Sequence, residues 1–218
     1  MEISTSILSV NKEEATKTFY NIEAAKTDYF HIDVMDGKFV KNNTTDFMLE
    51  STETIKHISN TPIDVHLMVE DVRDFLDIYI PMQPCFITFH YESIYNKEKI
   101  KEVINEIKAE GIKAGISIKP NTHIDEIIAL LPYVNLVLVM TVEPGLGGQK
   151  IIPDTLKKIK ELNEYRKKED LDFYIEADGG INLETIEEIK SSGADIAVVG
   201  TAIINSNSMK DTINELKK

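Results

Sequence analysis

Imidazole and carboxylate side chains alternate in the segment His31 to Gly37, HIDVMDG. The segment is typical of a β-strand that ends in a turn, so His31 and Asp33 share one face and Ile32 and Val34 share the other. Two residues of strand rise place the polar pair roughly 7 Å apart, a spacing that suits two side chains converging on one ion. The same pattern also fits a half-exposed edge strand with one polar side.

Two further predicted strands carry residues of the same types near their ends. His66 lies in the segment Asp64 to Met68, DVHLM, and Asp178 lies in Glu176 to Gly180, EADGG. A single histidine of this kind is often a hydrogen-bonded core residue. Two imidazoles and two carboxylates together suit one borderline divalent ion such as Zn²⁺, Fe²⁺, Mn²⁺ or Co²⁺. The predicted metal ligands are His31, Asp33, His66 and Asp178.

Glycine clusters follow the last three predicted strands, at 145–148, 179–180 and 200–201. Glycine lets backbone N–H groups approach a phosphate closely, and the start of a following helix favours negative charge. Each cluster alone would also fit an ordinary turn. Because they follow consecutive strands, the three clusters together predict a phosphate site.

Short apolar runs alternate with longer amphipathic runs along the chain. Strands are predicted at 3–8, 28–35, 63–68, 85–90, 113–118, 136–140, 173–177 and 196–199. Helices are predicted at 12–25, 72–80, 97–110, 124–131, 183–192 and 209–217. One further helix is predicted to end at about residue 59, and another to begin at Pro153. Eight βα repeats imply a parallel sheet, and they favour a closed α/β barrel, a single (β/α)8 TIM barrel over residues 1–218, above an open doubly wound sheet. In such a barrel the chemistry lies at the carboxyl ends of the strands.

Composition narrows the classes of partner. The chain has 218 residues, of which 42% are hydrophobic, and a formal net charge of −13. That charge argues against a nucleic acid partner, which requires a basic surface. No run approaches the roughly 18 apolar residues of a membrane span, and no signal peptide is visible. The one cysteine, Cys85, lies in an apolar run where it is expected to pack in the core, and its isolation fits the cytoplasm.

Six segments from the first strand to the last resemble the ribulose-phosphate 3-epimerase family. They are Ser6 to Ser9, His31 to Gly37, Asp64 to Met68, Met140 to Gln149 (MTVEPGLGGQ), Glu176 to Gly180 and Gly200 to Ile203. The resemblance covers nearly the whole chain. It implies a metal-dependent enzyme that inverts C3 of a ketose phosphate, most simply D-ribulose 5-phosphate to D-xylulose 5-phosphate. It also suggests a homo-oligomer.

The resemblance implies a role for each matching residue. Asp33 and Asp178 would be the two acid/base groups, one on each face of the sugar, and one divalent ion would be held by them together with His31 and His66. The residues implied to contact the substrate are Ser6, His66, Met35, Met68, Met140, Gly145, Gly147, Gly148, Gly179, Gly180, Gly200 and Thr201. The methionines would exclude water beside the reacting carbons, since a thioether is apolar and adaptable.

The match has departures that leave other readings open. The loop after the second strand, Lys41 to Phe47, lacks the family's usual proline, Leu146 replaces a common phenylalanine, and Thr201 replaces a usual serine. The altered loop keeps D-allulose-6-phosphate 3-epimerase as an alternative. A phosphosugar decarboxylase or aldolase would commonly use a lysine, and the strand ends offer only Lys38 and Lys119. A non-catalytic sugar-phosphate-binding protein is a third alternative, although both acid/base carboxylates are present.

Overall fold

Eight parallel strands close into one barrel in the computed structural model, which describes residues 1–218. The strands follow one another around the barrel in chain order, which confirms the predicted (β/α)8 TIM barrel. They are β1 Glu2–Ser6, β2 Tyr29–Met35, β3 Ile63–Met68, β4 Phe86–His90, β5 Lys113–Ile118, β6 Leu136–Met140, β7 Tyr174–Asp178 and β8 Ile196–Val199.

Helices cover the outside of the barrel. They are α1 Ala15–Ala24, α2 Thr45–Ile58, α3 Val72–Tyr79, α4 Lys97–Ala109, α5 Asp154–Lys168, α6 Ile186–Ser192, α7 Thr201–Ile204 and α8 Met209–Lys217. The side chains of Asp71, Asn96 and Ser208 accept N–H groups from the first turns of α3, α4 and α8, where the backbone has no helical partner. Pro153 immediately precedes α5, as predicted. None of these helices has the length and apolar character needed to cross a bilayer.

The connection between β5 and β6 differs from the prediction. The helix expected at 124–131 is wrong, because this segment forms 3-10 turns at Ile124–Glu126 and Ile128–Tyr133. Pro132 lies inside the second turn, where it has no N–H to donate and disfavours helical backbone at the preceding residue. The start of the helix expected at 12–25 is also a 3-10 turn, Lys12–Glu14, so α1 begins at Ala15.

The outer face of the strands is apolar. Their inner face is polar towards the carboxyl ends of the strands, which we call the upper end of the barrel. In the register of β2 and β3, His31 pairs with Asp64 and Asp33 pairs with His66. Paired residues of neighbouring strands point to the same side, so these four polar side chains lie inside the barrel. Ile32 and the alternate positions of the other strands point outward and pack against the helices. Because all of β2 is buried, the edge-strand alternative is wrong.

An apolar plug closes the lower end of the barrel. Its members are the buried first residues of β2, β4, β6 and β8 and the next inward residue of β6: Tyr29, Phe86, Leu136, Ile196 and Leu138. Met140 and Val142 continue this apolar cluster upward to the carboxyl end of the barrel. Cys85 packs against the plug but is only partly buried, and it precedes β4 rather than opening it. The polar residues therefore lie on top of an apolar base, at the end where the strands finish.

Candidate active site

Two imidazoles and two carboxylates converge at the carboxyl ends of β2, β3 and β7. Nε2 of His31 lies 3.3 Å from Oδ1 of Asp33 and 3.8 Å from Oδ2 of Asp178. Nδ1 of His66 lies 3.5 Å and 3.4 Å from the same two oxygens. One atom from each residue falls within 4.8 Å of the other three. The structure thus brings together the four residues predicted as metal ligands.

The four residues fit a divalent cation. His31 Nε2 and His66 Nδ1 are buried and have no hydrogen-bond partner, although a buried polar atom without one is costly. Both nitrogens face the carboxylate oxygens at separations expected of ligands that share one ion at about 2.0–2.2 Å. Nitrogen and oxygen donors together suit Zn²⁺, Fe²⁺, Mn²⁺ or Co²⁺.

Asp64 orients the ring of His31. His31 Nδ1 lies 2.6 Å from Oδ2 of Asp64, which also accepts a hydrogen bond from Ser4 at 3.0 Å. Burial and the charge of Asp64 raise the pKa of Glu176, a buried neighbour of Asp64, well above its ordinary value. Neither Asp64 nor Glu176 was predicted to belong to the site. Their place two residues before His66 and Asp178, on the same strand face, was the available signal.

His90 and Glu92 lie behind the ring of His66. Nε2 of His66 lies 2.9 Å from Nε2 of His90, and Nδ1 of His90 lies 3.1 Å from Oε2 of Glu92. Burial lowers the pKa of His90 to about 4. Burial opposes the charge of Glu92, but the hydrogen bonds with His90, Thr122 and the backbone N–H of Lys119 together outweigh it and lower the pKa of Glu92 to about 2. At neutral pH the pair is a neutral imidazole and a carboxylate. Neither His90 nor Glu92 was predicted to belong to the site.

The electrostatics of the cluster favour positive charge. Burial opposes protonation of His31, but the charges of Asp64 and Asp33 outweigh it and raise the pKa of His31 well above its ordinary value. Burial likewise opposes protonation of His66, and hydrogen bonds to Asp178 and Asp33 raise its pKa. Burial would raise the pKa of Asp33, but the charge of His31 lowers it strongly. The carboxylates therefore attract either protons on the imidazoles or a cation between them.

An open cavity of about 300 Å³ lies above the cluster. Its lining contains every predicted substrate-contacting residue except His66: Ser6, Met35, Met68, Met140, Gly145, Gly147, Gly148, Gly179, Gly180, Gly200 and Thr201. Asp33 and Asp178 also line it, whereas His31 and His66 are fully buried beneath. Contact between His66 and a sugar stays a prediction. Ser6, predicted to bind the sugar, donates to Oδ2 of Asp33 at 2.7 Å.

The glycine clusters form the far end of the cavity. Gly180 has a φ of +70°, and a Cβ there would lie 2.7 Å from the backbone nitrogen of Ile151. Only glycine fits this close approach of two loops. The hydroxyl groups of Ser9 and Thr201 lie 3.0 Å apart at the same end. Ser9, which lines the cavity, was quoted within a matching segment but was not assigned to the site.

The loop after β2 borders the cavity and is fixed to its strand. The hydroxyl of Thr44 donates to the carbonyl of Asp33 at 2.6 Å and accepts from the N–H of Met35 at 2.9 Å. Lys119 lies over the ring of Phe39, with its Nζ 3.8 Å from the ring centroid. Neither Lys119 nor the exposed Lys38 lines the cavity that holds the two carboxylates, so the lysine chemistry of the decarboxylase alternative has no support.

Solved structures share the fold at low sequence identity. A 3-keto-L-gulonate-6-phosphate decarboxylase from Vibrio cholerae superposes with a TM-score of 0.74 at 15% identity, over 99% of this chain and 95% of that one. A likeness at this identity establishes the barrel and no activity.

Sequence comparison gives the family. The model of the ribulose-phosphate 3 epimerase family matches residues 2–204. The ribulose-phosphate 3-epimerase of Helicobacter pylori strain J99 is 36% identical over 100% of this chain and 97% of its own. That of Methanocaldococcus jannaschii is 37% identical over 100% of this chain and 90% of its own. With the barrel and the carboxylate pair in place, these matches show that the chain belongs to the ribulose-phosphate 3-epimerase family and is an isomerase of the epimerase type.

Proposed function

We propose that this chain interconverts D-ribulose 5-phosphate and D-xylulose 5-phosphate by inverting C3, with one divalent ion held by His31, Asp33, His66 and Asp178. The observation that carries the proposal is the pair of carboxylates, Asp33 and Asp178, which reach one cavity from strands three positions apart around the barrel. The names of the full-length relatives support the choice of a ribulose phosphate.

The two carboxylates suit proton transfer on opposite faces of a sugar. C3 lies beside the ketone, so its proton is only weakly acidic. One carboxylate removes that proton from one face, and the other, in its protonated form, returns a proton to the opposite face. When bound, the divalent ion would supply Lewis-acid stabilisation of the negative charge that develops on the substrate oxygens. Both carboxylates belong to one coupled set of charges, since they share the imidazoles.

Neighbouring side chains prepare these carboxylates. Ser6 fixes one oxygen of Asp33, which leaves the other facing the imidazoles. Three buried methionines, Met35, Met68 and Met140, line the cavity beside the carboxylates and keep water from the reacting carbon without offering a strong hydrogen bond. At the other end, the glycine loops offer backbone N–H groups for the substrate phosphate.

D-Allulose 6-phosphate is the second candidate substrate. It is favoured by the altered loop Lys41 to Phe47, which follows the strand that carries Asp33. A neighbouring groove, lined by Lys41 and Asn42, shares Gly145 and Leu146 with the main cavity. The loop can therefore influence which sugar the cavity accepts.

Turnover of both sugar phosphates, with and without restored metal, tests the proposal. We expect kcat/KM for ribulose 5-phosphate to exceed that for allulose 6-phosphate at least tenfold, which is about 1.4 kcal/mol of transition-state binding. Chelation should abolish turnover, and Zn²⁺, Mn²⁺ or Co²⁺ should restore it. A reversed preference would establish the second candidate. Absence of epimerisation of either sugar by the metal-loaded protein would overturn the catalytic proposal in favour of a sugar-phosphate-binding role.

A further inference from the structure

We propose that Glu92 and His90 act as positioning residues that fix the tautomer of His66, so that its Nδ1 lone pair is directed at the bound ion. This inference rests on the proposed metal site. It adds a hydrogen-bond chain of defined direction that starts outside the four ligands. His66 lies on β3, His90 ends β4, Glu92 lies in the turn after β4, and their further partners lie in the loop that follows β5.

The chain begins at a donor that cannot be reversed. The backbone N–H of Lys119 donates to Oε1 of Glu92 at 2.8 Å, and the hydroxyl of Thr122 donates to the same oxygen. A backbone N–H group can only donate, so this position requires an acceptor. The other oxygen of Glu92, Oε2, faces Nδ1 of His90 at 3.1 Å.

The direction then passes through two rings. A carboxylate oxygen accepts, so Nδ1 of His90 carries the hydrogen and Nε2 of that neutral ring has a free lone pair. Nε2 of His90 lies 2.9 Å from Nε2 of His66. Since Nε2 of His90 accepts, Nε2 of His66 must be the donor. With its hydrogen on Nε2, neutral His66 has its lone pair on Nδ1, the atom that faces Asp33 and Asp178 at 3.5 Å and 3.4 Å. Each step leaves one allowed hydrogen position.

Burial protects this order from solvent. Both His66 and His90 are fully buried, and their rings stack with centroids 5.0 Å apart. Phe39 covers His90 at a centroid distance of 4.8 Å, and Lys119 lies over Phe39. Water thus has little access to replace a link of the chain. The other ring, His31, depends on Asp64 alone, so the two imidazoles are fixed independently.

The substitution Glu92→Gln separates this role from simple packing. Glutamine has nearly the same shape, but one end of its amide can only donate. The N–H of Lys119 demands the carbonyl end, so the NH2 end faces Nδ1 of His90. His90 then carries its hydrogen on Nε2 and forces the hydrogen of His66 onto Nδ1. The order of the whole chain is reversed with little change of volume.

Zinc affinity and ¹⁵N spectra of the histidines test the inference, with Zn²⁺ as the probe. Glu126→Gln is the matched control, because Glu126 lies on the loop after β5 and makes no hydrogen bond with Glu92 or His90. In the zinc-loaded parent, we expect His90 to be protonated at Nδ1. Glu92→Gln should weaken zinc binding, measured by competition with a chromophoric chelator, by about tenfold to a hundredfold. Glu126→Gln should bind as the parent does.

Each outcome decides the question. Zinc affinity within twofold of the parent for folded Glu92→Gln, or parent His90 protonated at Nε2, would overturn the inference and leave the metal site standing. The second result is read from the parent protein, so it holds even if the variant does not fold. A parent that binds no zinc would remove the proposed metal site and this inference with it.

Discussion

Three of the four proposed metal ligands are each held by a buried neighbour. Asp64 holds His31, Ser6 holds one oxygen of Asp33, and His90 holds His66. These contacts leave one unshared nitrogen or oxygen on each of the three residues, within 4.8 Å of a carboxylate oxygen of Asp178. Such support shells raise the precision of a site, because the orientation of the groups is fixed before substrate or cation arrives. The orientation of each of these three ligands therefore depends on the neighbour that holds it as well as on the ligand itself.

The acid/base pair gives a prediction at the scale of single atoms. Asp33→Asn and Asp178→Asn keep the shape of the side chain but remove the group that exchanges a proton. We expect either variant to lower kcat at least a hundredfold, within the range for loss of a general acid or base. Melting temperatures of the metal-free proteins should show that both variants fold. The measurement is epimerisation of ribulose 5-phosphate with zinc supplied in excess.

The control for these variants is Asp125→Asn, which removes an exposed carboxylate from the loop after β5. Its turnover should equal that of the parent. If either Asp33→Asn or Asp178→Asn retains turnover within tenfold of the parent, the two-carboxylate mechanism is wrong.

The residue types predicted the four proposed metal ligands but not the neighbours that orient their histidine rings. The alternation in β2 places His31 and Asp33 on one face, and the family motifs identify His66 and Asp178. Which ring nitrogen faces the centre depends on Asp64 and His90, and that choice follows from contacts between strands that are distant in sequence. Strand alternation places Asp64 on the same face as His66, but it does not show which residue of the neighbouring strand contacts His66, so His90 was missed.

At the scale of elements, strands were more predictable than connections. The apolar runs that form β-strands are buried on both faces by the barrel itself, so composition alone marks them. The helix predicted at 124–131 is wrong because Pro132 and the short length of the segment favour 3-10 turns. The glycine clusters lie at strand ends as predicted, because the turns there include positive φ angles that residues with a side chain rarely adopt.

One of these turns can be tested by adding a single methyl group. Gly180→Ala would place a Cβ 2.7 Å from the nitrogen of Ile151 and 2.9 Å from the carbonyl oxygen of Gln149, at a φ of +70°. Backbone atoms must then move, which displaces the glycine loop at the phosphate end of the cavity. We expect KM for the sugar phosphate to rise at least tenfold, and stability to fall by about 1–2 kcal/mol from the left-handed backbone alone.

Gly111→Ala provides the matched control, because Gly111 also has positive φ, at +77°, but a Cβ there would meet nothing within 4 Å. This variant should lose similar stability and keep the parent KM. Steady-state kinetics and thermal melts separate the two effects. Equal KM values for Gly180→Ala and the parent would remove the glycine loop from the phosphate site.

At the scale of the molecule, the barrel separates stability from chemistry. The large apolar core lies between strands and helices, and a second apolar plug fills the lower interior. Charged and polar groups occupy the upper interior, where carboxylates and imidazoles are buried at a cost in desolvation. That cost is offset only when the groups are paired with one another or with a cation. The stability of the whole chain should therefore depend on what occupies the site.

Zinc should stabilise the fold more strongly as the pH rises. In the metal-free protein, folding raises the pKa values of His31 and His66. Protonation of these two rings therefore stabilises the fold below the ordinary imidazole pKa, and this stabilisation is lost as the pH rises through their raised pKa values in the folded protein. Zinc needs these nitrogens without their protons, so its contribution changes in the opposite direction. At a hundredfold excess over Kd, binding adds about 2.7 kcal/mol, or roughly 5–10 °C in a chain of this size.

Calorimetric melts with zinc and with chelator, at about pH 6 and about pH 8, measure this difference. Replacing the two exposed histidines, as His57→Asn with His123→Asn, removes imidazoles outside the site and should leave the gap between the melting temperatures unchanged. Since the buried cluster is then the remaining imidazole site, a gap that grows with pH assigns the stabilisation to it. A gap that shrinks as the pH rises would contradict zinc binding by the two unprotonated rings, because protons would no longer compete with the metal.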